Sequence, residues 1–281
     1  MKFLRMNAVL EDVGNDEMVT YDSFRFSGGE FHIKLIDDCL EGEDVTIEWY
    51  ATSPSHVVDV AMASDALRRA GAASVSLLMP YVPFSRQDRV MVKGEPLSVK
   101  VFAGIVNSLG FDKVYTLDNH SPVTTALIEN CVEINRYRVM SELLRGSSDN
   151  CVLISPDAGA SKKTYEVAKT FQLPVVACSK RRDVRNGDIV GLDIGTSDLH
   201  GADCYVIDDI CDGGRTFLEI AKRLEAANCG DLHLYVSHGI FSKGQDELSA
   251  YYSTIRSTML KPKASEVPII KTIPLRKEDL R

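Results

Sequence analysis

The sequence predicts an α/β protein with two similar domains, each a mainly parallel sheet flanked by helices. Short apolar runs alternate with helical segments, and a polar segment divides the chain into two halves of the same β-α-β-α order. Because parallel strands are buried on both faces, their sequences are apolar runs rather than alternating patterns. The strand-like runs are VTIEWY (45–50), SVSLLM (74–79), KVYTL (113–117), CVLIS (151–155), PVVAC (174–178), CYVI (204–207) and LHLYV (232–236).

Two of the intervening segments have the periodicity of amphipathic helices. Pro96 and Gly110 bracket the first segment, and Gly230 follows the second. The first predicted apolar face consists of Leu97, Val101, Phe102, Ile105, Val106 and Leu109. The second consists of Phe217, Ile220, Ala221, Leu224 and Ala227. A single apolar face on each helix is typical of helices that pack on a sheet.

The polar segment SELLRGSSDN (141–150) is the predicted domain boundary. We therefore expect an N-terminal domain over residues 1–143 and a C-terminal domain over residues 144–281. One more strand-like run, from Val267 to Ile273, lies near the end of the chain. It either stays in the second domain or returns to the first.

Composition narrows the class of protein. The 281 residues are 44% apolar, with a formal charge of −8 and a pI near 5.3, so small-molecule partners are expected and nucleic acid is not. The seven cysteines are scattered without a CxxC pair, which favours reduced thiols. Acids appear early in the N-terminal segment, and no apolar run is long enough to span a bilayer, so we expect a cytoplasmic protein without membrane partners.

The segment YVIDDICDGGRTF (205–217) concentrates acids where a predicted strand ends and a helix begins. In a parallel sheet this edge binds ligands, and the first amides of the next helix favour a phosphate. Carboxylates can accept hydrogen bonds from sugar hydroxyls while the amides bind the phosphate. The segment therefore indicates a sugar phosphate site, and the alternative is an ordinary solvated acidic turn.

Three segments of the first half carry further polar groups near predicted strands. SFRFSGGEFHIKL (23–35) joins two strand-like pieces through a Gly-Gly pair, PYVPFSRQDRVMVKGEPL (80–97) follows a strand, and TLDNHSP (116–122) ends one with Asp118 and His120. Donor-rich loops at strand ends suit a polyphosphate or a purine. A plain hairpin turn, an exposed charged loop and a surface histidine are the respective alternatives.

Two segments of the second half complete the set. LISPDAGASKK (153–163) ends a strand with Asp157 and opens a helix with small residues, which lets a ligand approach the backbone. CSKRRDVRNGD (178–188) is basic and almost without apolar residues, and we expect a mobile loop there, either a phosphoryl-transfer lid or simply solvated surface. The sequence contains no GxxxxGK[ST] or GxGxxG pattern, so any phosphate site uses another scaffold.

In chain order, these segments resemble the class I ribose-phosphate pyrophosphokinases, the synthetases of phosphoribosyl pyrophosphate (PRPP). The resemblance covers Phe24 to Gly244. It implies two tandem type I phosphoribosyltransferase-like domains, ATP and ribose 5-phosphate as substrates, Mg²⁺ as cofactor, and PRPP and AMP as products. It also implies a homo-oligomer built from dimers, up to a hexamer. The matching segments are FSGGE, PYVPFSRQDR with EPLSVKVFAGIV, LDNHSP, SPDAGASKKTYEVAK, KRR, VIDDICDGGRT and SHGIFSKG.

The resemblance assigns roles residue by residue. In this family the turn at residues 26–30 reaches the adenine site of a neighbouring subunit. The implied ATP-binding residues are Phe26, Gly28, Glu30, Arg86, Gln87 and His120. The implied metal ligands are His120 and Asp157, and the implied catalytic residues are Lys180 and Arg182. The implied ribose 5-phosphate residues are Asp208, Asp209, Asp212, Gly213, Gly214 and Thr216.

The phosphate segment departs from the usual DDMIDTGGT pattern of the family. Gly213 stands where the family has threonine, and Arg215 stands where it has glycine. The carboxylates are retained, which favours sugar binding, while the geometry around the 5-phosphate differs. Two other functions remain open from the sequence: a phosphoribosyltransferase, and a catalytically silent regulatory subunit with the same fold.

Overall fold

The computed structural model describes residues 1–7, 9–36, 39–182, 189–260 and 270–280. The chain forms two compact units. Unit 1 consists of Met1–Arg136 with Pro274–Arg281, and unit 2 consists of Tyr137–Ile273. Residues 137–143, which precede the expected boundary, thus pack in unit 2. The Tyr137 ring stacks on Phe171 at 5.4 Å, and the Leu143 carbonyl accepts a hydrogen bond from Arg256.

Unit 1 contains a five-stranded parallel sheet of order β1-β4-β5-β6-β7 and a separate antiparallel hairpin of β2 and β3. The runs 45–50, 74–79 and 113–117 supply β4 to β6, as predicted. The strands are β1 (Lys2–Arg5), β2 (Tyr21–Arg25), β3 (Phe31–Leu35), β4 (Asp44–Glu48), β5 (Ser74–Leu78), β6 (Val114–Leu117) and β7 (Cys131–Ile134).

The helices of unit 1 are α1 (Val57–Arg69), α2 (Ser98–Ser108) and α3 (Pro122–Leu127), with short 3-10 helices at Asn15–Glu17, Pro54–His56 and Lys277–Leu280. The predicted apolar face of α2 is partly wrong. Val101 and Ile105 are exposed, whereas Phe102 and Val106 are buried as expected. Val99 and Ala103 are buried instead, so the buried face is rotated toward these two residues.

Unit 2 contains a six-stranded parallel sheet of order β15-β14-β13-β12-β8-β9 and an antiparallel pair, β10 and β11. The last predicted strand-like run contributes β15, which pairs with β14 and so stays in unit 2. The chain joins unit 1 again only afterwards, where Leu275 bridges to Leu10. The strands are β8 (Cys151–Ser155), β9 (Val175–Ala177), β10 (Ser179–Arg182), β11 (Ile189–Asp193), β12 (Asp203–Cys211), β13 (Leu232–Gly239), β14 (Thr254–Leu260) and β15 (Ile270–Thr272).

The helices of unit 2 are α4 (Tyr137–Leu143), α5 (Ala158–Phe171), α6 (Arg215–Ala226) and α7 (Asp246–Ser249). All five residues of the second predicted apolar face are buried, and they pack in one core with the apolar residues of β12 and β13. This core holds the start of α6 against the carboxyl end of β12. Among the described residues, no helix has the length and apolar character needed to cross a bilayer.

Candidate active site

The acidic segment of unit 2 lies at the end of β12 that extends beyond its neighbour β8. β12 pairs with β8 only as far as Val206, but its pairing with β13 continues to Cys211. The strand is therefore longer than the predicted run of residues 204–207, because β13 supports four further residues. Asp208 and Asp209 lie on this extension, beyond the end of β8, where their carboxylates are near a ligand-binding edge.

The carboxylates at this edge repel one another. Partial burial raises the pKa of Asp208 well above its ordinary value, and the neighbouring carboxylates of Asp209 and Asp157 raise it further. The Asp209 amide donates to Asp208 Oδ1 at 2.9 Å, which partly offsets this effect. Such a group is stabilised as an anion by a cation or by hydroxyl donors from a ligand. The cluster thus has the electrostatics of a binding site rather than of a solvated turn.

The turn between β12 and α6 contains two glycines, and the backbone conformation requires one of them. Gly214 has a φ of +76° and is the residue before the helix, so a side chain there would be strained. A Cβ at this position would also lie 3.1 Å from Leu248 Cδ1. Gly213 has no such φ, and a Cβ at this position would meet only the Lys243 side chain, at ordinary contact distances of 3.7 to 3.9 Å. Thr216 is half-buried in the first turn of α6, whose free amides favour an anion.

Asp157 caps helix α5 at the end of β8. Its Oδ1 accepts a hydrogen bond from the Ala160 amide at 3.0 Å, and its carbonyl accepts from the hydroxyls of Ser155 and Ser161. This cap fixes the carboxylate next to the acidic end of β12, with which it interacts electrostatically. Asp157 thus lies beside Asp208 at this end of the sheet, and its role in a ligand site stays a prediction.

Residues 240–242 form a segment after β13 that sequence reasoning did not assign to the site. The amides of Ile240 and Phe241 donate to the Cys211 carbonyl, at 2.9 and 3.1 Å. Ser242 donates twice to Asp212, from its amide to the carbonyl at 2.9 Å and from its hydroxyl to Oδ1 at 2.6 Å. Asp212 is thereby oriented by a neighbouring strand end. The available signal was that SHGIFSKG, like the acidic segment, follows a strand of the same parallel sheet.

The predicted turn in unit 1 is the tip of the β2–β3 hairpin. The Phe26 amide donates to the Glu30 carbonyl at 2.9 Å, and the Gly29 amide donates to the Phe26 carbonyl at 2.8 Å. The side chain of Phe26 is 52% exposed and contacts Phe24, with ring centroids 4.8 Å apart. A Cβ at Gly28 would lie 2.5 Å from Glu30 Oε2. The hairpin therefore presents a defined aromatic and acidic tip to solvent.

The loop after β5 and the turn after β6 come together in unit 1. Arg86 and Gln87 are exposed, and Asp88 between the two segments is mostly buried. Arg89 lowers the pKa of Asp88 through a 2.9 Å ion pair, and nearby Ser121 and His120 lower it further. The structure thus places the predicted nucleotide loop beside the predicted histidine. The sequence did not predict that Asp88 lies beside this histidine, because its neighbours along the chain do not reveal this contact.

His120 lies on a turn whose two preceding residues are held by polar contacts. Asp118, with a φ of +46°, forms an ion pair with Arg136 at 2.7 Å. The Asn119 amide donates to Glu133 at 2.9 Å. A non-glycine residue with positive φ persists only where its surroundings hold it in place. The exposed His120 side chain therefore projects from a rigid support.

Lys180 and Arg182 lie on β10, which contradicts the expectation that this whole segment is a loop. Lys180 is paired with Leu192 and Arg182 with Ile189 of β11. A two-stranded ribbon forms here because strand pairing satisfies backbone groups even where few side chains are apolar. The remainder of the predicted loop, residues 183–188, lies outside the described residues.

The residues present are compatible with Mg²⁺ bound together with substrate. Within the described ranges, no group of three or more histidine, cysteine, aspartate or glutamate residues forms a metal cage. Mg²⁺ usually keeps several waters and binds one or two carboxylates plus substrate phosphates. The carboxylates of Asp209 and Asp157 raise the pKa of Asp208, and a divalent cation would relieve this repulsion. The predicted ligands His120 and Asp157 lie in different units.

The fold and the polar residues at the strand ends of each unit identify two phosphoribosyltransferase-like units in tandem. The pattern of the N-terminal domain of ribose phosphate pyrophosphokinase matches residues 7–110, and that of the phosphoribosyl transferase domain matches residues 127–267. The structure superposes on phosphoribosylpyrophosphate synthetase from Mycobacterium smegmatis with a TM-score of 0.78, at 19% identity, covering 97% of this chain and 93% of that one. This likeness establishes the fold.

Curated relatives extend the comparison to sequence. A putative ribose-phosphate pyrophosphokinase 2 from Streptococcus pyogenes is 30% identical over 80% of this chain and 70% of its own. Ribose-phosphate pyrophosphokinases from Bradyrhizobium diazoefficiens and Cereibacter sphaeroides are 28% and 27% identical. The matches cover 81% of the first of these proteins and 66% of the second. This chain belongs to the ribose-phosphate pyrophosphokinase family, and the predicted fold and family are confirmed.

Proposed function

We propose that this chain is an active ribose-phosphate diphosphokinase. It transfers the β,γ-diphosphoryl group of ATP to the 1-hydroxyl of ribose 5-phosphate and forms PRPP and AMP. The observation that carries the proposal is the edge of unit 2, where the mutually repelling carboxylates of Asp208 and Asp209 precede a glycine turn and a helix start. This combination matches a ligand that has hydroxyl groups at one end and a phosphate at the other.

On the sugar side, each group has a distinct role. The carboxylates of Asp208, Asp209 and Asp212 accept hydrogen bonds from the ribose hydroxyls, and the amides of the turn at Gly213 and Gly214 bind the 5-phosphate. Thr216 adds a hydroxyl donor in the first helical turn. The hydrogen bond from the Ser242 hydroxyl supports the assignment of Asp212, because it orients the carboxylate before any ligand arrives, while the Ser242 amide holds the Asp212 backbone carbonyl.

On the nucleotide side, Arg86 and Gln87 bind the triphosphate and purine, and Asp88 positions His120 beside them. Phe26, Gly28 and Glu30 contact the adenine of a neighbouring subunit, which makes the active form a homo-oligomer. The exposed aromatic tip of the hairpin supports this role. His120 in unit 1 and Asp157 in unit 2 are the proposed Mg²⁺ ligands, and Mg²⁺ bound with the triphosphate would neutralise charge on the phosphates. The substrates are cytoplasmic metabolites, which supports a cytoplasmic location. The seven cysteines, all of them free thiols, agree with this location.

The transfer itself needs little acid–base chemistry. The oxygen of the ribose 1-hydroxyl attacks the β-phosphorus, the bond from that phosphorus to the α-phosphate oxygen breaks, and AMP leaves with the electron pair. The hydroxyl proton passes to solvent. Lys180 and Arg182 stabilise the charge that gathers on the β-phosphoryl oxygens, as cations do in phosphoryl transfer generally.

The test is an assay of the purified chain with ATP, Mg²⁺ and ribose 5-phosphate, followed by separation of the nucleotides. AMP and PRPP should form in equal amounts. ADP without PRPP would indicate an ordinary kinase. The absence of turnover, with substrate binding retained, would support the silent regulatory subunit. Consumption of PRPP with a purine base would support the phosphoribosyltransferase instead.

A further inference from the structure

We propose that Lys243 is an additional ligand for the phosphate of the sugar phosphate, with its ammonium group above Gly213. The inference deepens the proposed function and rests on it, because it assumes that the turn after β12 binds a phosphorylated sugar. Neither the acidic segment nor the sequence patterns assign a role to Lys243. Its side chain packs on the turn from the segment that follows β13.

The aliphatic part of Lys243 covers the glycine of the turn. A Cβ placed on Gly213 would lie 3.7 Å from Cδ, 3.8 Å from Cε and 3.9 Å from Cγ of Lys243. The methylene groups therefore lie within van der Waals contact distance of a Cβ at residue 213. The ammonium group follows directly after Cε, so it lies within reach of a ligand bound at the turn.

The backbone that carries Lys243 is fixed rather than loose. Its neighbour Ser242 is tied to Asp212 by the two hydrogen bonds described above. Phe241 has a φ of +45° and a buried ring, and a Cβ at Gly239 would lie 2.4 Å from Cε2 of that ring. Holding a phenylalanine in the left-handed region is unfavourable unless packing requires it. This strained residue turns the chain so that Lys243 lies over the turn.

Two further observations indicate an anion at this position. Within the described part of the chain, the Lys243 ammonium has no ion pair or hydrogen bond to a protein group. Arg215 occupies the first position of α6, where the helix dipole disfavours a cation unless an anion is bound nearby. The segment thus brings cations to a helix start that already favours phosphate, and no acidic residue lies in that first turn.

The experiment measures binding of ribose 5-phosphate by calorimetry, without ATP, so that turnover does not enter. Lys243→Met keeps the aliphatic stem and removes the charge, and it should weaken binding about tenfold, the loss of one charge-assisted hydrogen bond. Lys243→Arg should retain most of the affinity. Lys222→Met, on the exposed side of α6, is the matched control and should bind like the wild type.

Two further measurements separate a phosphate ligand from a structural role. Unphosphorylated ribose should bind wild type and Lys243→Met equally, and the salt dependence of ribose 5-phosphate binding should be weaker in the variant. In the assay, Lys243→Met should raise KM for ribose 5-phosphate while KM for ATP and kcat change little. Gly213→Ser in the Lys243→Met background should recover part of the affinity, because a Cβ at residue 213 meets only ordinary contacts.

The outcomes distinguish the inference from the proposed function. If wild type binds ribose 5-phosphate and forms PRPP but Lys243→Met binds it equally well, the role of Lys243 is refuted and the proposed function stands. If wild type does not bind ribose 5-phosphate, both are refuted. A loss of affinity for ribose as well as for its phosphate would show that Lys243 shapes the turn and does not bind the phosphate.

Discussion

Individual carboxylates in unit 2 have opposite electrostatic surroundings although they lie on the same strand. Asp208, at the carboxyl end of β12, has a raised pKa because burial and like charges disfavour its anion. Asp203, at the other end, has a lowered pKa because it accepts from Ser148 Oγ at 2.7 Å and from the Asp231 amide at 3.0 Å. The first arrangement suits a binding site, and the second stabilises the fold.

Asp203→Asn should lower the free energy of unfolding by about 1 kcal/mol at neutral pH, the net value of a hydrogen bond. The folded-state pKa lies below the ordinary value of 3.8, so this contribution is present above that value and is lost as the pH falls through the folded pKa. Urea unfolding between pH 8 and pH 3 measures the difference. Ser148→Ala should show part of the effect, and equal stabilities at all pH values would contradict the assignment.

Asp212→Ala should weaken ribose 5-phosphate binding much more than ATP binding. A hydrogen bond to a charged group contributes about 1.5–3 kcal/mol, or roughly ten- to hundredfold in affinity. Michaelis constants for both substrates are the measurement. Ser242→Ala is the control, because it removes the 2.6 Å hydrogen bond to Asp212 and leaves the carboxylate. An unchanged constant for the sugar with a raised one for ATP would reverse the assignment.

At the scale of elements, helix α6 connects the core of unit 2 with the site. Its N-terminal turn follows Gly214, and its apolar face is buried against the sheet. Ile220 is 0% exposed, so Ile220→Ala should destabilise the protein by about 2–5 kcal/mol through lost contacts and a cavity. Equilibrium unfolding in urea measures this change.

The exposed Lys222→Ala on the same helix should change the stability by less than about 0.5 kcal/mol. If Ile220→Ala proved equally mild, the packing of α6 on the sheet would be wrong. Residual sugar phosphate binding by the folded Ile220→Ala protein would show whether the helix start tolerates a loosened core.

The β10–β11 ribbon is the element to which we assign the chemical step. Lys180→Ala and Arg182→Ala should each lower kcat by about 10³, the scale for cations that stabilise charge in phosphoryl transfer, while both KM values change little. Steady-state kinetics measures both quantities. Arg181→Ala is the neighbouring control and should retain activity. Raised KM values with a kcat near that of wild type would make the ribbon a binding clamp instead.

At the scale of the whole molecule, we expect the active species to be a homo-oligomer. Phe24 and Phe26 are 51% and 52% exposed on the hairpin tip, and aromatic side chains of this kind commonly become buried at an interface. Sedimentation velocity combined with activity over a dilution series tests this expectation. Phe26→Ala should raise KM for ATP several-fold without unfolding unit 1. Full activity of a monomer would refute the claim.

Much of the fold could be predicted from the sequence because strands that are buried on both faces of a sheet consist of apolar runs. The seven predicted strand-like runs all form strands, and the face of α6 from Phe217 to Ala227 is buried as predicted. The face of α2 was less predictable: Val101 and Ile105 are apolar yet exposed, since local periodicity does not specify which neighbours cover a helix.

The α/β class, the family and the polar segments at strand ends all follow from the sequence alone. The tertiary structure decided which of those groups meet. Asp88 lies beside His120, which follows it by more than thirty residues in the chain. Ser242 orients Asp212, which precedes it by 30 residues. Lys243 likewise packs on Gly213. Such contacts depend on strand order and helix packing, which local sequence does not encode, because they are set by long-range burial of the core.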